Sequence, residues 1–292
     1  MPLLKIIVLA IVQGLAELLP VSSSAHVVVA EKLMGLDPSS PPMTLLLVML
    51  HTGTMLAVIA YFWPQWRATY FRSARAFRGF FWQVVVATFF TALISAGISK
   101  VIERTVLRNV PHAQIEDLFG RLEFMAPALA AAGVLILIAA VRAERRVAVP
   151  PAEPSATDDL NLQRAGLIGA VQGLCLPFRG FSRSGATIST RMLLGVATAR
   201  AEAFSFALAV VITPAVVARE TLRLIQSAHV SGTAELAAAT LPSLLGAVFA
   251  FLAGLLALRW LSRWLESGRW HVFGIYCLVA AVAVMLLHRA GY

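Results

Sequence analysis

The chain is 292 residues long, 59% hydrophobic and only 13% charged, with a mean hydropathy of +0.80. Soluble domains carry about 25% charged residues, so this composition excludes a water-soluble globular fold, a disordered chain and a fibre. The 24 basic residues exceed the 15 acidic ones by nine, and 21 of them are arginines scattered over many short segments. That distribution orients helices in a bilayer and argues against nucleic acid as a partner. Two cysteines, Cys175 and Cys277, stand apart in apolar runs, which suggests neither a disulfide framework nor a zinc site.

The first apolar stretch, 3–34, is cut in its middle by a Pro- and Ser-containing loop, and neither half can span a bilayer comfortably. It reads as a re-entrant helix-loop-helix hairpin, backbone that a membrane tolerates only inside protein or beside a water-filled cavity. Gln13 and Glu17 fall within it and a further apolar helix follows at once, so the reading treats residue 1 onward as mature protein rather than as a signal peptide. Three apolar spans follow, at about 43–63, 80–101 and 124–141. A Pro-, Ala- and acid-rich linker is expected over 149–161. A second interrupted hairpin occupies 165–196, and three more spans follow at about 203–225, 239–260 and 270–288.

The segment 64–79 carries Arg67, Arg72, Arg75 and Arg78 without an acid, which places it in the cytoplasm by the positive-inside bias. The mixed segment 102–123, with Glu103, Glu116, Asp117 and Glu123, then belongs outside, and 142–164 inside. Both hairpins open with the same four residues, VQGL, in VQGLAELLPVSSSAH (12–26) and VQGLCLPFRGFSRSGA (171–186). Each is followed by three spans, an odd number, so the second half enters the membrane from the opposite face. The expected fold is an all-α inverted-topology repeat of about six transmembrane helices and two re-entrant hairpins whose tips meet near the midplane. Its halves are 1–148 and 162–292.

An ionisable group within an apolar segment costs about 2.5–3.5 kcal/mol on insertion scales and marks a functional candidate. Glu17 is the strongest, and Gln13, one helical turn before it, shares its face. Ser22, Ser23 and Ser24 open the next half-helix, where free N–H groups and the positive dipole end suit a phosphate. His26 lies within reach of the same polar centre and is a candidate acid, base or nucleophile. In the second hairpin Arg183 stands between Ser182 and Ser184, with Gly180 and Gly185 allowing close backbone approach and Thr187 one turn on. A guanidinium at a helix start suits bidentate phosphate binding. Weaker candidates are Glu202, expected to pair with Arg191 or Arg200, and His51, which either borders the site or satisfies a carbonyl.

Taken together, QGLAELLPVSSSAH (13–26), GFSRSGATIS (180–189) and AEAFSFALAV (201–210) resemble the motifs of the undecaprenyl-pyrophosphate phosphatases, also called bacitracin-resistance proteins. The resemblance implies a multi-pass enzyme of the bacterial inner membrane with interlocked inverted repeats. It would hydrolyse the C55 polyprenyl pyrophosphate on the periplasmic side with a divalent cation, Mg²⁺ or Ca²⁺, and form homodimers within the lipid. Carried over by position, Gln13 and Glu17 fill the paired acidic sites, Glu17 holding the metal. Ser23 and His26 match the catalytic serine and histidine, and Arg183 matches the essential arginine; Gln13, Ser22, Ser24, Ser182, Ser184 and Thr187 would bind substrate. Two positions depart from the pattern: Gln13 replaces a carboxylate that many members have, and Arg179 stands where a proline usually precedes Gly180. Nucleophile and base remain open between Ser23, His26 and water. A rival reading is a polyprenyl-phosphate transporter, since broken helices in inverted repeats are also the architecture of alternating-access carriers.

Overall fold

Leu19 precedes Pro20, and the proline ring confines it to extended backbone, φ −78° and ψ 151°, so α1 (Leu3–Leu18) stops there. The chain passes through Ser22 at φ 68° and restarts as α2 (Ser23–Leu33). In the second hairpin α6 (Leu162–Cys175) ends two residues before Pro177, and Gly180 turns the chain at φ 106°. A Cβ at Gly180 would meet the Met125 carbonyl oxygen at 2.5 Å, so glycine is required there by conformation and by space. Ser182 then caps α7 (Arg183–Leu193) by accepting the Gly185 N–H at 3.2 Å. Even the longest of these four, the 16-residue α1, reaches only about 24 Å, short of the ~30 Å hydrocarbon core. Both expected helix-loop-helix breaks are present.

This computed structural model describes residues 2–37, 40–108, 118, 120–147, 161–195, 198–231 and 233–291. Apart from Asn161, which caps α6, the expected linker lies outside them, as do Glu116 and Asp117. The regular structure among the described residues is all helix, with no strand. The long helices are α3 (Pro41–Thr69), α4 (Ala74–Thr105), α5 (Leu122–Val147), α8 (Thr198–Ser231), α9 (Thr233–Glu266) and α10 (Trp270–Arg289). Among the described residues five stretches are long and apolar enough to cross a membrane, in α3, α4, α5, α9 and α10; the sixth expected span, 203–225, falls within α8. The chain is an all-α multi-pass membrane protein. Its helices outrun the expected spans: α3 continues through Arg67, which reduces the basic loop to 70–73. Apolarity marks the hydrocarbon slab, whereas Ala, Arg and Gln continue a helix beyond it.

The helices form two compact units, and each draws on both sides of the expected linker. The first comprises Met1–Leu19, Ser23–Pro64 and Ala209–Leu261. Its core joins Ile6, Leu9 and Ala10 of α1 to Leu46 and Leu50 of α3 and Ala250 of α9. The second comprises Pro20–Ser22, Gln65–Leu208 and Ser262–Tyr292. Within it α6 lies against α4 so closely that a side chain at Gly169 would collide with the Ala87 backbone. Thr91 uses that proximity: its hydroxyl lies 2.8 Å from the Ala87 carbonyl and 2.9 Å from that of Gly169, and it accepts the Gln172 amide at 3.2 Å. Such polar pairs hold helices together where lipid supplies no hydrophobic drive.

Candidate active site

In the first unit, the α1 face carrying Gln13 and Glu17 is completed by the start of α2. Glu17 Oε2 accepts the Ser23 hydroxyl at 2.5 Å and the Gln13 amide at 3.2 Å. Three helical residues separate Gln13 from Glu17, so their bond follows from helix geometry alone. Ser23 reaches back only because Pro20 and Ser22 reverse the chain. Ser24 and His26 follow within the first turns of α2, both half-buried, with His26 three positions after Ser23 and therefore on its side of the helix. From α3, His51 brings Nε2 to 4.0 Å from the same Glu17 Oε2, while its Nδ1 lies 2.8 Å from the Leu47 carbonyl. Of the two expectations for His51, the carbonyl contact is present, and the ring also approaches Glu17.

The second unit holds Arg183, Ser182, Ser184 and Thr187 on α7, together with Ser22. Arg183 is the first residue of the helix, where the macrodipole is positive. Ser182 is 2% exposed and Ser184 4%, while Ser22 sits in the left-handed region, a strained place for a residue other than glycine. Thr187 is fully buried; its hydroxyl lies 2.9 Å from the Arg183 carbonyl and 2.5 Å from Ser205 Oγ. Trp270 Nε1 donates to Ser189 at 3.1 Å, and Arg191 donates to the Arg200 carbonyl at 2.7 Å while its guanidinium lies over Phe204. A short polar helix that would not hold itself in an apolar setting is thereby pinned at three levels below Arg183.

The family model described as bacitracin resistance protein BacA matches residues 6–283. Undecaprenyl-diphosphatase 2 of Acinetobacter baylyi is 53% identical over 290 residues, covering 98% of both chains. Undecaprenyl-diphosphatase 1 of Burkholderia pseudomallei is 32% identical over 97% of this chain and 95% of its own. An undecaprenyl-diphosphatase of Desulfosudis oleivorans is 34% identical over 94% of each. The chain belongs to the BacA family. The BacA match takes in both hairpins and every candidate named above.

One expectation within this BacA chain is corrected. Glu202 does not pair with Arg191 or Arg200; its carboxylate accepts the Ser262 hydroxyl at 2.9 Å, because α8 buries it against the last turns of α9. Ser205, Ser189 and Trp270 were not singled out in the sequence, although Ser205 lies in the third BacA-like motif, AEAFSFALAV. As for metal, no three His, Cys, Asp or Glu side chains converge among the described residues. The half-buried Glu17 carboxylate, in the last turn of α1 where the helix dipole is negative, nevertheless suits an ion that takes most of its ligands from phosphate and water.

Proposed function

We propose that this protein hydrolyses undecaprenyl pyrophosphate to undecaprenyl phosphate and inorganic phosphate, returning the lipid carrier to cell-wall synthesis and conferring bacitracin resistance. The observation that carries the mechanism is the Ser23 hydroxyl donated to Glu17 Oε2. A serine whose proton already points at a carboxylate is poised as a nucleophile. Ser23 Oγ attacks the terminal phosphorus and its proton passes to Glu17. The bond to the bridging oxygen breaks, and the lipid monophosphate leaves. Water then opens the phosphoserine, with His26, on the same side of α2, positioned to take its proton.

Charge on the transferred group is the main demand of this reaction. Arg183 answers it with a planar fork for two phosphate oxygens, and Ser182, Ser184, Ser22 and Ser24 supply further donors. Thr187 holds the Arg183 carbonyl. Glu17, together with phosphate oxygens and water, would hold the divalent cation, Mg²⁺ or Ca²⁺, which when bound neutralises diphosphate charge; Gln13 orients Glu17 through its amide. The enzyme resides in the inner membrane, works from the periplasmic face and forms a homodimer. The relatives bear a phosphatase name, and no observation favours the transporter reading. Release of inorganic phosphate from C55 diphosphate by the purified protein tests the proposal; Ser23→Ala is expected to abolish it, and undiminished release by that variant would remove Ser23 as nucleophile.

A further inference from the structure

Gln13 gives Glu17 a hydrogen-bond donor, with Nε2 3.2 Å from Oε2. A cation held by Glu17 therefore gains no second negative ligand from α1. His51 fills that gap. Its Nδ1 lies 2.8 Å from the Leu47 carbonyl, an acceptor, so Nδ1 must carry a hydrogen. In the neutral ring the lone pair is then on Nε2, the nitrogen 4.0 Å from Glu17 Oε2. Two acceptors face each other, and that arrangement calls for a group between them that gives a hydrogen to each or coordinates both, a water or a cation.

The separation tells which positive charge fits. At 4.0 Å the pair is beyond the range of an N–H···O hydrogen bond, so a proton on Nε2 does not close the gap. A single metal ion with bonds of about 2.1 Å to each atom spans up to about 4.2 Å. The ring is also mounted as ligating histidines are, with its far N–H fixed on a backbone carbonyl that sets tautomer and orientation. Neither side chain is fully buried, with exposures of 38% for His51 and 17% for Glu17. Ser23 and Gln13 both donate to Oε2, and the ion takes the place of the longer of these bonds, that from the Gln13 amide at 3.2 Å.

We infer that His51 Nε2 and the Glu17 carboxylate bind one divalent ion together, and that the ring nitrogen shifts the site's preference from Mg²⁺ and Ca²⁺ to first-row transition ions. The inference rests on the reading of Glu17 as the metal-holding carboxylate and adds a ligand to it. An all-oxygen set suits Mg²⁺ and Ca²⁺; an imidazole favours the transition series, in which affinity rises from Mn²⁺ onward. His51 and Glu17 come from α3 and α1 of one compact unit, so the packing of those helices keeps both ligands in place.

The test uses the purified full chain in detergent with Mn²⁺ alone as probe. Free Mn²⁺ is followed by electron paramagnetic resonance, and the bound ion is examined for electron spin-echo modulation from a coordinated ring nitrogen. The parent should show that modulation, and labelling its histidines with ¹⁵N should change the coupling without any substitution. His51→Gln should lose it and bind Mn²⁺ at least about tenfold more weakly; His26→Gln should retain it. Glu17→Gln should lose the ion altogether. If the parent binds Mn²⁺ without nitrogen coupling, or His51→Gln binds it as the parent does while Glu17→Gln does not, the role of His51 is overturned and the Glu17 reading stands. If Glu17→Gln binds Mn²⁺ like the parent, or the parent binds none, the metal reading itself falls, and the role of His51 with it.

Discussion

Arg183 begins α7, so a fixed guanidinium adds to the positive end of the helix dipole at one point. A lysine there would keep the charge but lose the planar fork. Arg183→Lys is expected to lower kcat/KM on a C15 or C55 diphosphate about a hundredfold or more; near-parental turnover would end its assignment as the phosphate clamp. Ser22 poses a different question, because its φ of 68° costs a residue with a Cβ about 1 kcal/mol. Ser22→Gly should melt no lower than the parent while turnover falls, since strain and hydroxyl are removed together. Ser22→Val, β-branched at the same angle, should melt lower; equal melting of the two variants would show that the backbone is not strained there. At position 13, Gln13→Glu replaces a donor to Glu17 with a second carboxylate. The two charges repel until a cation joins them, so phosphate release should depend more steeply on Mg²⁺ and Ca²⁺. Superimposed metal titrations of parent and variant would place position 13 outside the metal's reach.

Among the elements, α7 departs furthest from ordinary membrane helices: it is short, polar and buried along nearly its whole length. Thr187 has one hydroxyl hydrogen, which it gives to the Arg183 carbonyl, so Ser205 is the donor in the bond they share. At the far end Tyr70 bonds Arg191; burial pushes the Tyr70 hydroxyl above its usual pKa, Arg191 opposing, so it stays a neutral partner at physiological pH. Ser205→Ala should therefore lower kcat several-fold with little change in KM, because it loosens the helix that carries Arg183 without touching substrate. Ser205→Thr, which keeps the hydroxyl, should restore the rate, and an unchanged kcat in the alanine variant would refute the anchoring role. The two hairpin breaks were legible because proline and a serine- or glycine-containing turn interrupt apolar runs locally. Two long-range bonds were not legible: Ser189 of α7 meets Trp270, and Glu202 of α8 meets Ser262 of α9, across long stretches of chain whose register only packing sets. His51 shows the same limit, since its sequence, LHTGT, contains a polar residue but nothing that points to Glu17.

For the whole molecule, the inverted repeat expected from the sequence makes a prediction about faces. Cysteines placed at positions 38 and 198 should react with impermeant reagents from the periplasm and from the cytoplasm respectively; reaction of both from one side would reject the inversion. Native Cys175 and Cys277 are buried and should contribute little background. The make-up of the first unit also bears on biogenesis. Met1–Leu19 and Ser23–Pro64 share their unit with Ala209–Leu261, so the hairpin bearing Glu17 and Ser23 leaves the ribosome before its partners exist. During synthesis of the intervening Gln65–Leu208, on the order of ten seconds at ordinary elongation rates, the hairpin lacks the packing that α9 gives it in the finished unit. A nascent chain arrested before residue 209 should accordingly expose its first hairpin to protease, and the protection should appear only when the last third of the message has been read.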